Sequence, residues 1–413
     1  MGKTVRYPFS MPDHAGSVER FDAGNCSLFF DFHGREGEAR VMLASRVKPL
    51  QVIAVTKHEH LHSPLAGTVT EIDVRDGSLG RIVIRSDPNS SPDENTLENV
   101  RDPSIDYPEF LKSIGLVGMG GSMFPAKLKA MASKKVHTLV INAVECEPGV
   151  FIDRALLLNF PDEIIRGAET AAKGVGAGRI ILAVKKSGSL EAIRALYPFP
   201  IVLQPDTYPA GSERLILKTV TGKRVSCGVF PSDVGYLVHN VASIRAIGLA
   251  VNRGVPVVER PLALCVPHLN YYKNLIVPIG IPIREVLRRV DAPADFASCA
   301  VVSSGLMMGK RAAPGDSVTK GTTSVFILPE KEVAGGERPC VKCGACVDAC
   351  PLNLHPAEMA VRIERSAMKD KALRAQLDEC FLCGTCAAVC PAWIPLVDYF
   401  KEGKLWKTEY MTR

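Results

Sequence analysis

Gly115-Leu-Val-Gly-Met-Gly-Gly-Ser-Met-Phe-Pro125 carries four glycines in its first seven residues. Glycine at that density marks a loop whose backbone comes close to something, because no Cβ stands in the way. The pattern Gly118-x-Gly120-x-x-Met123 misses the dinucleotide fingerprint, which requires a strand immediately before it and glycine at the sixth position. Here the preceding DYPEFLKSIG reads as helix and the sixth position is methionine. A helix-like segment, PAKLKAMASKK, follows the loop. Its free N–H groups and positive dipole end face the loop, with Lys127 and Lys129 nearby.

Downstream the chain alternates. HTLVINAV (137–144) reads as a buried strand, and FPDEIIRGAETAAKGVG follows with helical apolar spacing and a glycine stop. RIILAV (179–184), SLEAIRALY and PIVL (200–203) repeat the theme. Strand–helix alternation of this kind predicts a parallel sheet with right-handed crossovers, and ligands of such sheets sit beyond the carboxyl ends of the strands. The first strand delivers Asn142-Ala-Val-Glu-Cys-Glu-Pro-Gly149 at that end. Glu145 and Glu147 there suit ribose or nicotinamide contacts; they suit equally well a role as loop carboxylates paired with Arg154 or Lys127.

The flanks differ in character. Residues 1–95 read as β-rich, with SPLAGTVTEIDV and GRIVIRSD forming a hairpin about Arg75-Asp76-Gly77-Ser78, since Asp-Gly tolerates the positive φ of a tight turn. SDPNSSPDENT (86–96) has the composition of a linker. Short β-like runs and one helix, IPIREVLRRV, fill 260–330. In KHEHLHS, His58, His60 and His62 alternate and would share one face of a strand, the arrangement a divalent metal could use. The segment enters a surface hairpin, which favours no metal. Ser303 and Ser304 precede Gly305 without a base or a nucleophile elbow nearby.

A chain of 413 residues exceeds one core, and its formal charge of +6 is scattered rather than blocked. Nucleic acid is therefore not an expected partner. No apolar run reaches the ~20 residues that span a bilayer. MGKTVRYPFSMPDHAG lacks a secretory h-region, so the expected location is cytoplasmic.

Eight of the thirteen cysteines lie in the last quarter, as CVKCGACVDACP (340–351) and CFLCGTCAAVCP (380–391). That asymmetry favours metal ligation over a disulfide framework. The run C-x2-C-x2-C-x3-C-P is the bacterial ferredoxin pattern, whose fourth cysteine ligates the other cluster of a pair. We therefore assign Cys340, Cys343, Cys346 and Cys390 to one 4Fe-4S cluster and Cys380, Cys383, Cys386 and Cys350 to a second. Paired zinc sites, the alternative, do not call for four-cysteine runs closed by proline. Cys26, Cys146, Cys227, Cys265 and Cys299 are isolated and expected to be mostly buried apolar residues.

VGMGGSMFPAKLK, NAVECEPGVFIDR, YPAGSERLILKTVTGKRV and the two cysteine runs together resemble the C subunit of the Rnf ferredoxin:NAD oxidoreductase complex. More distantly, they resemble the flavin-binding subunit of respiratory NADH dehydrogenase. The likeness extends from about residue 55, includes HSPLAGTVTEI and SDVGYLVHNVASIRAI, and weakens before residue 50. It implies FMN on the glycine loop, NADH or NAD over the flavin, and clusters relaying single electrons. By position, Gly118, Gly120 and Gly121 would contact FMN, with Lys129 near its phosphate and Asn142 near its ring. Phe124, Glu145 and Glu147 would face the nicotinamide nucleotide, and Tyr208, Gly211 and Glu213 would form a second loop on the same pocket. No side chain is expected to act as nucleophile or acid.

The resemblance further implies a multidomain α/β chain: a β-rich, barrel-sandwich-like part at 1–98, an α/β FMN- and NADH-binding part at 99–262, a β-grasp-like module at 263–332 and a dicluster ferredoxin-like part at 333–413. Expected partners are the other subunits of an Rnf-type membrane complex and ferredoxin or an iron–sulfur subunit, met peripherally on the cytoplasmic face of the inner membrane. Where the family reads Gly-Gly-Ala-Gly-Phe-Pro, this chain reads Gly-Gly-Ser-Met-Phe-Pro. Met123 is thus expected to put a thioether where backbone normally lies against the ligand, in a dihedral suited to glycine. Two other readings stand beside this one: a microcompartment-type cobalamin reductase, disfavoured by the hairpin's place before the glycine loop, and a cluster-only relay that has lost flavin.

Overall fold

The computed structural model describes residues 16–32, 36–75, 77–88, 90, 106–132, 136–186, 189–225, 229–292, 298–313, 315–333, 335–365 and 370–411. Cys227, most of the 86–96 segment and the turn residue Asp76 lie outside them.

At the centre is a four-stranded parallel sheet in the order Ile201–Gln204, Arg179–Lys185, Thr138–Ala143, Tyr236–Asn240. Thr138–Ala143 is nearly all buried because it has a neighbour on each side and helices against it, which is why its apolar residues do not alternate with polar ones. The helix Pro161–Val175 ends where Gly176 takes φ 72°, and it crosses the helix Val241–Arg253 through glycine. A Cβ on Gly167 would run into the Ile244 carbonyl, and one on Gly248 into that of Glu163. Glycine lets the two helix backbones touch there, and the second helix starts at Asn240, the last residue of the strand Tyr236–Asn240 and the helix N-cap.

The N-terminal part holds two antiparallel sheets. One orders Ser27–Asp31, Ser78–Ser86, Gly67–Arg75 and Arg46–Val47; the other orders Gly37–Ala39, Val52–Thr56 and His60–His62. The long hairpin of Gly67–Arg75 with Ser78–Ser86 pairs Arg75 with Ser78 across its turn. A six-stranded mixed sheet is built on Glu259–Val266, buried throughout, flanked by Tyr271–Pro278 and Ser324–Pro329. Its edge strand is Glu19–Arg20, contributed from the chain's beginning, and Glu259–Val266 runs across the 262/263 division. The apolar core is continuous from Ala23 to Leu328.

The cysteine-rich part is helical and has a core of its own, formed by Met359, Ile363, Leu373, Leu377, Leu396 and Phe400. Each run turns through a non-glycine residue with positive φ, Lys342 at 55° and Leu382 at 58°, before Gly344 and Gly384.

One buried ion pair joins three parts of the chain. Lys320 Nζ lies 2.8 Å from Glu59 Oε2, in the connection between Val52–Thr56 and His60–His62, and donates to the Gly115 carbonyl at 2.6 Å, at the start of the glycine loop. Gly115 takes φ 71°, and a Cβ there would meet the His60 carbonyl.

Candidate functional site

The glycine loop is a closed turn. The Gly118 N–H donates to the Phe124 carbonyl at 2.8 Å and the Met123 N–H to that of Gly118 at 3.1 Å. Ser243, in the first turn of the helix Val241–Arg253, receives the Met119 N–H at 3.0 Å. The loop thus lies across the carboxyl ends of Thr138–Ala143 and the neighbouring edge strand Tyr236–Asn240, where Asn142 and Asn240 stand side by side. Asn142 Nδ2 donates to the Gly211 carbonyl at 2.9 Å, and Asn240 Nδ2 to Asp153 Oδ2 at 2.9 Å. Gly211 has no room for a side chain, because a Cβ would enter the Val144 carbonyl and lie 2.9 Å from Cys146 Sγ.

Two adjoining cavities open at this edge and share Gly120, Ser122, Asn142, Gly211, Ser212 and Asn240. The smaller, about 260 Å³, is completed by Gly118, Phe124, Lys129, Glu213, His239 and Ser243. The larger, about 540 Å³, takes in Gly121, Glu145, Glu147, Asp153, Tyr208 and Arg260, and reaches Phe381, Leu382 and Cys383. All eleven residues singled out for flavin or nucleotide thus gather around one cleft. Lys127 does not join them; it is paired with Glu109 of the preceding helix.

Met123 departs from its expected placement. It does adopt φ 51°, the left-handed region that favours glycine, but its side chain leaves the cleft. Sδ lies 3.9 Å from Thr319 Oγ1, and the chain covers Gly321, where a Cβ would come within 2.6 Å of Met123 Cγ. Met123 lines neither cavity, so its thioether does not intrude on the loop's ligand side.

Three polar groups mark the lining of the smaller cavity. Lys129 Nζ lies 2.6 Å from Glu213 Oε1 and 2.5 Å from the Val238 carbonyl, a cation held at the smaller cavity. Beside it, burial and then Lys129 push His239 down to about 3, leaving a neutral imidazole whose Nε2 has no hydrogen-bond partner among the described residues. Ser212 Oγ is likewise buried without one. Buried polar atoms in a native protein are almost always satisfied, so two orphans in a cavity wall fit a polar ligand such as a flavin nucleotide.

The larger cavity is acidic. Glu145 accepts from the Ile152 and Asp153 N–H groups at 2.7 and 3.1 Å, capping the helix Ile152–Asn159. Burial, then the adjacent Asp153 carboxylate, raises it well above the ordinary carboxylate range. Arg154 is within electrostatic reach of it. Asp153 is also raised by burial, opposed by Asn240 and Arg260. Glu147 accepts from the Met307 N–H at 2.7 Å and is pushed up to about 7 by burial, against the donated N–H groups of Met307 and Leu306. Arg260 is committed to the Thr322 and Lys320 carbonyls at 2.9 and 3.0 Å.

The cysteines form two sets. Cys350, Cys380, Cys383 and Cys386 line one cavity walled by Leu354, Pro356, Met359, Leu382, Val397 and Phe400. The Cys386 thiol is raised by burial and then by Cys383, Cys380 and Cys350, so the fourth cysteine of the first run faces three of the second. Cys346 in turn feels Cys390. Cys340 and Cys343 are exposed. Among the described residues no three His, Cys, Asp or Glu side chains converge at the range of a single metal ion; the second cysteine set surrounds a space rather than a point, the form a multi-iron cluster needs. His60 and His62 share the strand His60–His62 with ring centres 6.3 Å apart, while His58 lies in the turn before it.

The two sites meet. Tyr208 Oη donates to the Cys383 carbonyl at 2.5 Å, and Arg214 donates to that of Glu379 at 2.9 Å. Asn240, Ser212, His239, Ser243 and Arg260 were not singled out from sequence. Asn240 had a signal, an asparagine between the strand-like YLVH and the helical VASIRAI; Arg260 had a weaker one, a cation at the head of an apolar strand.

Comparison with known proteins matches residues 111–249 to the Nuo51 FMN-binding domain and residues 339–394 to a 4Fe-4S dicluster domain. The C subunit of the ion-translocating oxidoreductase complex of Buchnera aphidicola is 33% identical over 359 residues, covering 83% of this chain and 76% of that protein. Its counterpart from Rhodobacter capsulatus is 34% identical over 268 residues, 62% and 52% of the two chains. The C subunit of the proton-translocating ferredoxin:NAD(+) oxidoreductase complex of Clostridium ljungdahlii is 30% identical over 262 residues, 61% and 57%. The chain thus spans three quarters of the first relative and little more than half of the other two. Among solved structures, an NAD+-reducing NiFe-hydrogenase matches with a TM-score of 0.49 at 18% identity, over 77% of this chain and 64% of that one.

Proposed function

Because this chain belongs to the family of C subunits of ion-translocating oxidoreductase complexes, an electron-transfer family with flavin and iron–sulfur domains, we propose that it exchanges electron pairs with NADH or NAD and single electrons with a partner. Two 4Fe-4S clusters and one FMN would serve it. The observation that carries this reading is a shared wall: one cavity is lined by Gly120, Gly121, Glu145 and Glu147 and also by Cys383. A ligand in that cavity and a cluster on Cys383 would be neighbours with no helix between them.

In this reading the backbone of Gly118, Gly120 and Gly121 lies against FMN, and Lys129 offers charge to its phosphate. Ser212 Oγ and His239 Nε2 supply polar atoms that the protein leaves unengaged, and Asn142 is held at the ring by its bond to Gly211. Phe124, Glu145, Glu147, Tyr208 and Glu213 complete the nucleotide side. When bound, the flavin supplies the exchange between two-electron and one-electron chemistry, and the protein orients it. Cys350, Cys380, Cys383 and Cys386 hold the inner cluster, and Cys340, Cys343, Cys346 and Cys390 the outer. Electrons leave by the outer set, since Cys340 and Cys343 reach solvent.

The partners are the remaining subunits of an Rnf-type complex and ferredoxin or an iron–sulfur protein, met on the cytoplasmic face of the inner membrane. No helix among the described residues is long and apolar enough to cross a membrane, which agrees with a peripheral place. The cluster-only alternative loses its support, because Met123 points away from the cleft. Anaerobic purification with reconstituted clusters tests the reading. FMN at one per chain, with NADH bleaching both flavin and cluster absorbance, is the expected result. A protein with full iron, no flavin and no response to NADH would refute it.

A further inference from the structure

The two cysteine runs align position for position, and they differ at a residue that touches a sulfur. Thr385 follows Gly384 in the second run, where Ala345 follows Gly344 in the first. Thr385 is 1% exposed, and its hydroxyl lies 3.2 Å from Cys383 Sγ. We propose that Thr385 sets the two clusters at different reduction potentials by donating a hydrogen bond to the Cys383 sulfur that Ala345 cannot supply to Cys343.

The inference rests on the iron–sulfur reading above. A thiol could donate across this contact, but an iron-bound thiolate has no proton, so the hydroxyl donates and the sulfur accepts. One-electron reduction adds a negative charge to a thiolate-ligated cluster. Hydrogen bonds to the sulfurs and solvent exposure are two of the factors that set its potential. A donor aimed at sulfur stabilises the more negative form, so the hydroxyl raises the potential of the set containing Cys383. Burial acts in the opposite direction. Cys380, Cys383 and Cys386 are partly covered, whereas Cys340 and Cys343 are exposed and Lys342 stands where the second run has Leu382. Thr385 therefore offsets part of the burial penalty at the very cysteine that faces the nucleotide cavity, keeping that set reducible from the cavity side.

The test is a dithionite titration of the reconstituted full chain, followed by voltammetry and electron paramagnetic resonance, on Thr385→Val, Thr385→Ser and Ala345→Thr. Valine keeps the volume and removes the hydroxyl; serine keeps the hydroxyl. Thr385→Val is expected to lower one of the two potentials by up to about tenfold in the reduction equilibrium, or about 59 mV for one electron. Thr385→Ser should stay within about twofold of the parent, and Ala345→Thr should raise the other potential. A Thr385→Val protein with neither potential moved beyond twofold, or with both moved equally, would overturn the proposal. Should that variant lose iron, Ala345→Thr decides: no rise in either potential overturns it. Because dithionite supplies the electrons, failure to respond to NADH would count against the function proposed above and leave this result readable.

Discussion

Replacing Met123 with glycine, the residue that the resemblance leads one to expect there, separates two accounts of the loop. At φ 51° a methionine pays about 1–2 kcal/mol that glycine does not. Against this, the half-buried side chain over Gly321 contributes the burial of about two methylenes, roughly 1.6 kcal/mol. Glycine also loses about 0.5–1 kcal/mol through the freedom of its unfolded chain. The sum runs from about zero to about 1.6 kcal/mol of net destabilisation, so thermal stability should fall only slightly. Flavin affinity should move even less, because no Met123 atom lines either cavity. FMN titration by fluorescence quenching should place the dissociation constants of parent and variant within about twofold. A variant that binds FMN tenfold more tightly, about 1.4 kcal/mol, would mean that the methionine does obstruct the site and that its side chain does not point away from the ligand.

Other perturbations test other joints. Lys320→Met removes the ammonium from buried Glu59 and from the Gly115 carbonyl, and should cost about 3–5 kcal/mol in urea unfolding; Lys320→Met with Glu59→Leu should recover at least half, and no recovery would show that the pair itself is not the cause. Glu147, pushed up to about 7, holds its proton more tightly folded than unfolded, so it contributes stability at low pH that is lost as pH rises from about 4.5 to 7. That loss amounts to up to about 3 kcal/mol, and Glu147→Gln should abolish it; a stability difference between parent and variant that is flat from pH 4.5 to 8 would refute the assignment. Gly211→Ala forces the Tyr208–Glu213 loop away from the Val144 carbonyl, at about 1–3 kcal/mol, and should lower FMN retention on gel filtration; unchanged stability and retention would show that the close approach is not needed.

Much of this chain is legible without coordinates. The apolar run 137–144 has no polar side to show, so it had to be a central strand, and the helical spacing of 161–175 ends on a glycine that takes a left-handed φ. The spacing of cysteines within each run is a local quantity, as is the difference between Thr385 and Ala345. Asn142, Glu145 and Glu147 follow directly from the strand's carboxyl end, because a strand exports its next residues to the sheet edge.

What sequence could not decide depends on contacts between residues far apart in the chain. Asn240, Ser212 and Arg260 reach the cleft because a sheet order, a loop and a second sheet converge there, and no local pattern encodes that convergence. Glu145 proved to be a helix cap as well as a cavity wall, a choice made by where the Ile152–Asn159 helix begins in space. Met123 is the sharpest case. Its dihedral could be anticipated from the glycine it replaces, but the direction of its side chain could not: the turn at 319–321, some two hundred residues on, offers the thioether a surface outside the cleft. Sequence determined that a glycine loop, two carboxylates and two cysteine runs exist at fixed local spacing; tertiary packing alone decided that they meet around one cleft and that the methionine stays out of it.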